Sequence, residues 1–252
     1  SNQFNTTIKN CNLNNFTNGI LFSRAKNGTI QNVTANSSVG YGIALDLNSS
    51  YNTITNSRGT SFSSYGILLN INSSYNTFTN ITGTSTNSYG ILLNINSSYN
   101  TFTNATGNST SYGIGLAFSP NNTFINSKGI SSSSGYGIYL VSSPNNTITN
   151  STGISTSSTG ILLDVSPNST IINATGISLG ASHGIWLSSS NNSIITNSIG
   201  TSNSTGYGIV LASSPNSTII NSNGTSGTSG AGIYLISSNN SIIINSNGTS
   251  LT

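Results

Sequence analysis

Charged side chains are nearly absent from this sequence. Five Lys and Arg, two Asp and one His in 252 residues amount to 3% charge, against about a quarter in an ordinary soluble domain. The formal charge of +3 rests on Lys9, Arg24, Lys26, Arg58 and Lys128, which are scattered and thin out toward the C-terminal half. Nucleic-acid binding needs a dense basic patch to neutralise phosphates, and none is written here. The single cysteine, Cys11, has no partner for an internal disulfide. No run approaches the roughly 20 apolar residues of a membrane span. Ser1-Asn2-Gln3 does not open a signal peptide, so a mature product or a segment of something longer is expected.

What fills the chain instead is Asn, Ser, Thr and Gly, a composition that is often disordered. A strict period argues otherwise. Gly-Ile recurs at Gly19, Gly42, Gly66, Gly90, Gly113, Gly137, Gly160, Gly184, Gly208 and Gly232, always 23 or 24 residues apart. A second column keeps the same beat: Asn10, Asn32, Asn56, Asn80, Asn104, Asn126, Asn150, Asn173, Asn197, Asn221 and Asn245. An apolar Ile or Phe precedes each Asn by two residues, as in Ile54 and Phe78. Such a period means a stack of equivalent coils in one elongated domain spanning residues 1–252.

Each coil reads as three short strands: Gly-Ile-x-Leu, then Thr-Ile-x-Asn, then Gly-Thr-Ser or Gly-Ile-Ser before a Ser-rich return. Apolar spacing is two rather than 3.6, and the density of Gly, Ser, Thr and Asn disfavours a long helix. Alternation places Ile67 and Leu69 inward. The same parity, carried along the second strand, places Ile54 and Asn56 inward, so the Asn column is expected to form an inward ladder that satisfies backbone groups at the bend. Cys11 falls in a column with Val33, Ser57, Ile81, Ala105, Ser127 and Ser151, which reads as a small inward slot rather than a reactive thiol. About ten to eleven coils are expected, rising roughly 50 Å at the inter-strand spacing.

The unit from Tyr136 to Asn150, Tyr-Gly-Ile-Tyr-Leu-Val-Ser-Ser-Pro-Asn-Asn-Thr-Ile-Thr-Asn, resembles the repeat of right-handed parallel β-helix proteins of the pectate-lyase-like superfamily. It is most similar to the Asn-rich repeats of microbial, especially archaeal, cell-surface members. The resemblance covers essentially the whole chain and implies an all-β parallel solenoid. It does not imply one function, because that superfamily holds lyases, glycosidases, epimerases, adhesins and surface components.

Polysaccharide-cleaving members usually act through clustered carboxylates, Ca²⁺-binding acids or basic residues on the outer face. Here the two acids, Asp46 and Asp164, share a coil position five coils apart, about 24 Å at the inter-strand spacing. Paired glycosidase carboxylates must lie about 5 to 9.5 Å apart, so hydrolysis by an intrachain pair is excluded. A Ca²⁺ site needs about 6 to 8 oxygen ligands, usually with several carboxylates. His183 takes a position usually held by Tyr and has no acid or nucleophile on its beat, so no Ser-His-acid set can be drawn. Neither an enzyme, a metal site nor a cofactor is expected.

Outward columns carry the remaining signal. The residue inside Gly-Ile-x-Leu reads Leu21, Ala44, Leu68, Leu92, Gly115, Tyr139, Leu162, Trp186, Val210 and Tyr234. As a continuous apolar strip it is expected to be an interface, covered either by a partner subunit or by another part of the chain. Tyr41, Tyr65, Tyr89, Tyr112, Tyr136 and Tyr207 form a stacked aromatic column, and Tyr51, Tyr75 and Tyr99 a shorter one. Sequons at Asn36, Asn48, Asn72, Asn96, Asn108, Asn121, Asn145, Asn168, Asn203 and Asn216 are candidate N-glycosylation sites, whereas those on the Asn ladder, such as Asn80 and Asn104, are expected to be buried. Thr-x-Thr pairs such as Thr53 and Thr55 resemble the arrays of ice-binding solenoids. With no cap evident at either end, the leading expectation is an extracellular structural protein of a microbial surface. Copies would join end to end and side by side into a filament, sheath or layer, with covalent glycans. A carbohydrate-binding or adhesive module is the alternative, and ice binding the third.

Overall fold

The computed structural model describes residues 3–251. Nearly all of the strands fall into three parallel sheets of 10, 11 and 11 strands, each coil contributing one strand to each sheet. One coil shows the pattern: Ile67–Leu69 enters the first sheet, Thr77–Thr79 the second and Thr82–Ser85 the third. Register is column on column, with Ile43, Ile67 and Ile91 in line in the first sheet and Ile54, Phe78 and Phe102 in the second. A short extra pair, Gln3–Phe4 with Ala25–Lys26, lies near the N-terminal end. No helix occurs among the described residues.

The core is the expected stack of apolar residues. Ile67, Leu69, Phe78 and Ile81 from one coil meet the same positions of the next in a single buried cluster. Phe78, Phe102 and Phe124 stack nearly parallel, with ring centroids 4.4 and 4.8 Å apart. The Gly-Ile beat has a steric cause rather than a conformational one, since no glycine has positive φ. A Cβ on Gly90 would lie 2.8 Å from the backbone of both Gly107 and Gly113. Glycines of the first and third sheets thus face each other where the two backbones come closest.

An inward Asn ladder exists, but not in the column that parity selects. Asn10, Asn32, Asn56, Asn80, Asn104, Asn126, Asn150, Asn173, Asn197, Asn221 and Asn245 are all exposed and all left-handed, with φ between 46° and 54°. Alternation does not survive a left-handed residue: the second strand ends at Thr55, Asn56 makes the corner, and Ser57 rather than Asn56 points inward. The outward column does bond between coils, from Asn80 Nδ2 to Asn56 Oδ1 at 3.0 Å and from Asn104 Nδ2 to Asn80 Oδ1 at 2.9 Å.

The buried ladder lies one corner earlier, at Asn52, Asn76, Asn100, Asn122 and Asn146, each 1% exposed. The backbone N–H of Asn52 donates to Asn76 Oδ1 at 2.8 Å, that of Asn76 to Asn100 Oδ1 at 2.8 Å, and that of Asn100 to Asn122 Oδ1 at 2.9 Å. From Asn146 onward the acceptor is serine, Ser169 and then Ser193 and Ser217. The slot that contains Cys11 does the same work with serine: Ser127 N–H donates to Ser151 Oγ, which donates to Thr149 O. Cys11 itself is half-buried against the core.

Each coil also turns a left-handed corner before its second strand. Leu47, Ile71, Ile95, Phe118 and Val165 hold φ of 45° to 53° there, whereas Ser142, Ser189, Ser213 and Ser237 fill the same place in other coils. A bulky or β-branched residue in this conformation is an outlier that costs about 1–2 kcal/mol.

Candidate functional site

The outer face of the first sheet concentrates the aromatic side chains. The apolar strip lies on it but is mostly covered. Ala44, Leu68, Leu92, Leu162 and Val210 are at most 5% exposed, and only Leu21 is open. Ala44, Leu68 and Leu92 form a second small cluster under the rings of Tyr41, Tyr65 and Tyr89. The Tyr89 ring lies over Gly115 of the next coil, where a side chain would collide with it. Where Ala44, Leu68 and Leu92 lie, the strip is therefore an internal seam, covered by the chain's own tyrosines rather than left for a partner subunit. The signal was present as a constant offset: Tyr41 to Ala44, Tyr65 to Leu68 and Tyr89 to Leu92 are each three apart.

What reaches solvent is an aromatic row. Tyr41 stacks on Tyr65 at 5.8 Å, Tyr89 on Tyr112 at 4.5 Å, and Tyr112 on Tyr139 at 5.9 Å. After a break at Thr159 the row resumes, with His183 stacked on Tyr207 at 5.3 Å and Tyr207 on Tyr234 at 4.5 Å. Burial raises the Tyr89 and Tyr136 phenols, and burial together with the nearby Asp164 carboxylate pushes Tyr139 up to about 12. These hydroxyls stay neutral donors throughout the physiological range.

His183 sits between Trp186, which meets it edge-on at 5.0 Å, and Tyr207, whose backbone N–H donates to Nδ1 at 3.1 Å. That bond requires an unprotonated Nδ1, and burial lowers the pKa. The imidazole is a structural member of the row. The Trp186 Nε1–H is enclosed and has no acceptor.

The two acids fall where the period puts them, at the ends of Ile43–Asp46 and Ile161–Asp164 and five coils apart. Asp46 Oδ1 accepts from Leu47 N–H and Asn70 Nδ2, and Asp164 Oδ1 from Ser188 Oγ. Among the described residues no group of three or more His, Cys, Asp or Glu is placed to hold a metal ion.

Most of the sequons noted above are open. Asn48, Asn72, Asn96, Asn108, Asn145, Asn168, Asn203 and Asn216 are exposed, whereas Asn36 and Asn121 are half-buried. Asn80 and Asn104, expected to be buried, are exposed because they make the outward corner. The Thr pairs lie outward and in register at Thr53 and Thr55, Thr77 and Thr79, and Thr101 and Thr103, and the array breaks at Ile125.

No curated protein matches the sequence. A solved structure, the A-module of mannuronan C-5 epimerase from Azotobacter vinelandii, is similar over 97% of this chain at 11% identity and a TM-score of 0.34; the chain spans 55% of that one. A family model described as a right handed beta helix region matches residues 1–152 and 107–248. Three parallel sheets in register and a family match over nearly the whole length lead to one assignment: the chain belongs to the right-handed β-helix family.

Proposed function

We propose that this protein is a structural component of a microbial cell surface, not an enzyme, and that it works as a stiff rod whose copies stack coil on coil into a filament, sheath or layer. The observation that supports this most is the sameness of the coils. Register is held column on column from the second coil to the last described one, so the lower edge of any coil matches the upper edge of any other. Strand edges of that kind pair readily with a further chain. Lateral contact through the apolar strip is not part of this reading, because Ala44, Leu68, Leu92, Leu162 and Val210 are buried.

The nearly uncharged surface needs hydration from another source, and exposed sequons at Asn108, Asn145, Asn168, Asn203 and Asn216 support N-linked glycans in that role. Sedimentation velocity over a concentration series tests the assembly. Species growing with concentration support the reading, and a single small species at every concentration contradicts it.

The aromatic row favours a second reading, a carbohydrate-binding or adhesive module, since its half-exposed rings suit sugar faces. Glycan-array binding lost in Trp186→Ala would support it. No binding by the unmodified chain would remove it.

A further inference from the structure

The corner between the first and second sheets differs between the two halves of the rod. In the C-terminal half its left-handed residues are mostly Ser, but in the N-terminal half Leu47, Ile71, Ile95 and Phe118 take those positions. Ile95 and Phe118 are 43% and 59% exposed. Beside them stand Tyr51, Tyr75 and Tyr99, all exposed, with ring centroids 5.2 and 5.0 Å apart and planes within 9°. Bulky side chains held in a strained conformation and left in water are unfavourable twice over, and such outliers cluster where a function maintains them.

At the N-terminal end of this ridge the Tyr column gives way to Asn27, which leaves the outer face of Tyr51 free. A groove of about 570 Å³ opens there, lined by Arg24, Lys26, Asn48, Ser50, Tyr51 and Tyr75 among others. Its lining contains two cations and no acid. Asp46, the acid nearest in sequence, is already bonded to Leu47 N–H and Asn70 Nδ2.

We infer that this ridge and groove form a docking surface for an anionic lipid bilayer, with the groove taking a negatively charged headgroup and the ridge entering the interfacial layer. Two observations favour a bilayer over a protein partner. The ridge lies on the corner between two sheets with its rows stacked one coil above another, so it presents an outward row rather than a cleft for a partner's side chain. Its makeup of aliphatic side chains, tyrosines with polar tips and flanking cations is that of residues held at membrane interfaces. The inference is independent of end-to-end assembly. It requires the sequons at Asn48, Asn72 and Asn96 to be bare, since a glycan there would hold the ridge away from the lipid.

The test is co-sedimentation of the unglycosylated chain with vesicles of phosphatidylglycerol and phosphatidylcholine, against vesicles of phosphatidylcholine alone. Binding is expected only to the anionic vesicles and should weaken with added salt. Replacing both cations, Arg24→Gln with Lys26→Gln, should lower the partition coefficient about 30-fold. Phe118→Ser should lower it about tenfold and keeps the fold, because Ser142 and Ser189 occupy the same corner in other coils. Phe62→Ser, which removes an exposed aromatic elsewhere, should leave it unchanged. No binding, equal binding to neutral vesicles, or loss with the cation variants but not with Phe118→Ser would overturn the inference. A dimer abolished by Phe118→Ser without vesicle binding, or glycans mapped to Asn72 and Asn96 of the native protein, would overturn it as well.

Discussion

At the scale of single residues, the two Asn columns separate what burial demands from what conformation demands. Asn76 is buried, and its Oδ1 receives the N–H and Nδ2 of Asn52 while its own Nδ2 donates to Ser49 O. Asn76→Ala strands these groups in the core and should cost about 2–4 kcal/mol in chemical denaturation. Asn76→Ser should cost much less, because serine fills this position from Ser169 onward. Asn80 is needed for its left-handed corner, so Asn80→Gly should be near neutral, a difference the same titration reads. His183 adds a pH dependence. Folding keeps it unprotonated by burial and by the Tyr207 N–H, while the unfolded chain takes up a proton near its ordinary pKa of 6.5. Stability should therefore hold above about pH 6.5 and decline as the pH falls below it. Thermal melts of His183→Tyr, which restores the usual residue of that column, should lose this slope.

At the scale of the strand and the corner, parity is dependable along a strand and fails across a left-handed residue. The period, the three strands per coil, the inward Ile and Leu, and the small slot of Cys11 and Ser57 were all legible in the sequence, because each lies within one strand or repeats without interruption. The buried Asn ladder was not, because Asn56 and Asn52 look alike in composition and only the reversal at the corner decides which one points inward. The covered strip was missed for a related reason. Alternation shows that Leu68 leaves the sheet, but not that the rings of the neighbouring Tyr column pack over the strip. Two substitutions probe the coil's cross-section. Phe102→Ala opens a hole between Phe78 and Phe124 and should cost about 3–5 kcal/mol. Gly90→Ala forces a methyl group against the backbones of Gly107 and Gly113, and circular dichroism melts should show a larger loss than Ala makes at an exposed strand position.

At the scale of the whole molecule, every coil rests on its neighbours and on nothing else, so stability should be distributed as in other solenoids, with interior coils supported on both sides and end coils on one. Hydrogen exchange should show the amides of Ile114 and Ile138 protected far longer than those of Ile233 and Ile243. Stacking of copies would change that profile, because each junction turns two end coils into interior ones. The proposed function rests on this property: a rod of repeated edges gains most by lengthening. Cryo-electron microscopy of the concentrated chain tests it most directly. Rods of uniform width are expected, longer than the roughly 50 Å of one chain, with the inter-strand spacing of about 4.8 Å running unbroken through the junctions. Separate particles of about 50 Å that never join would contradict it.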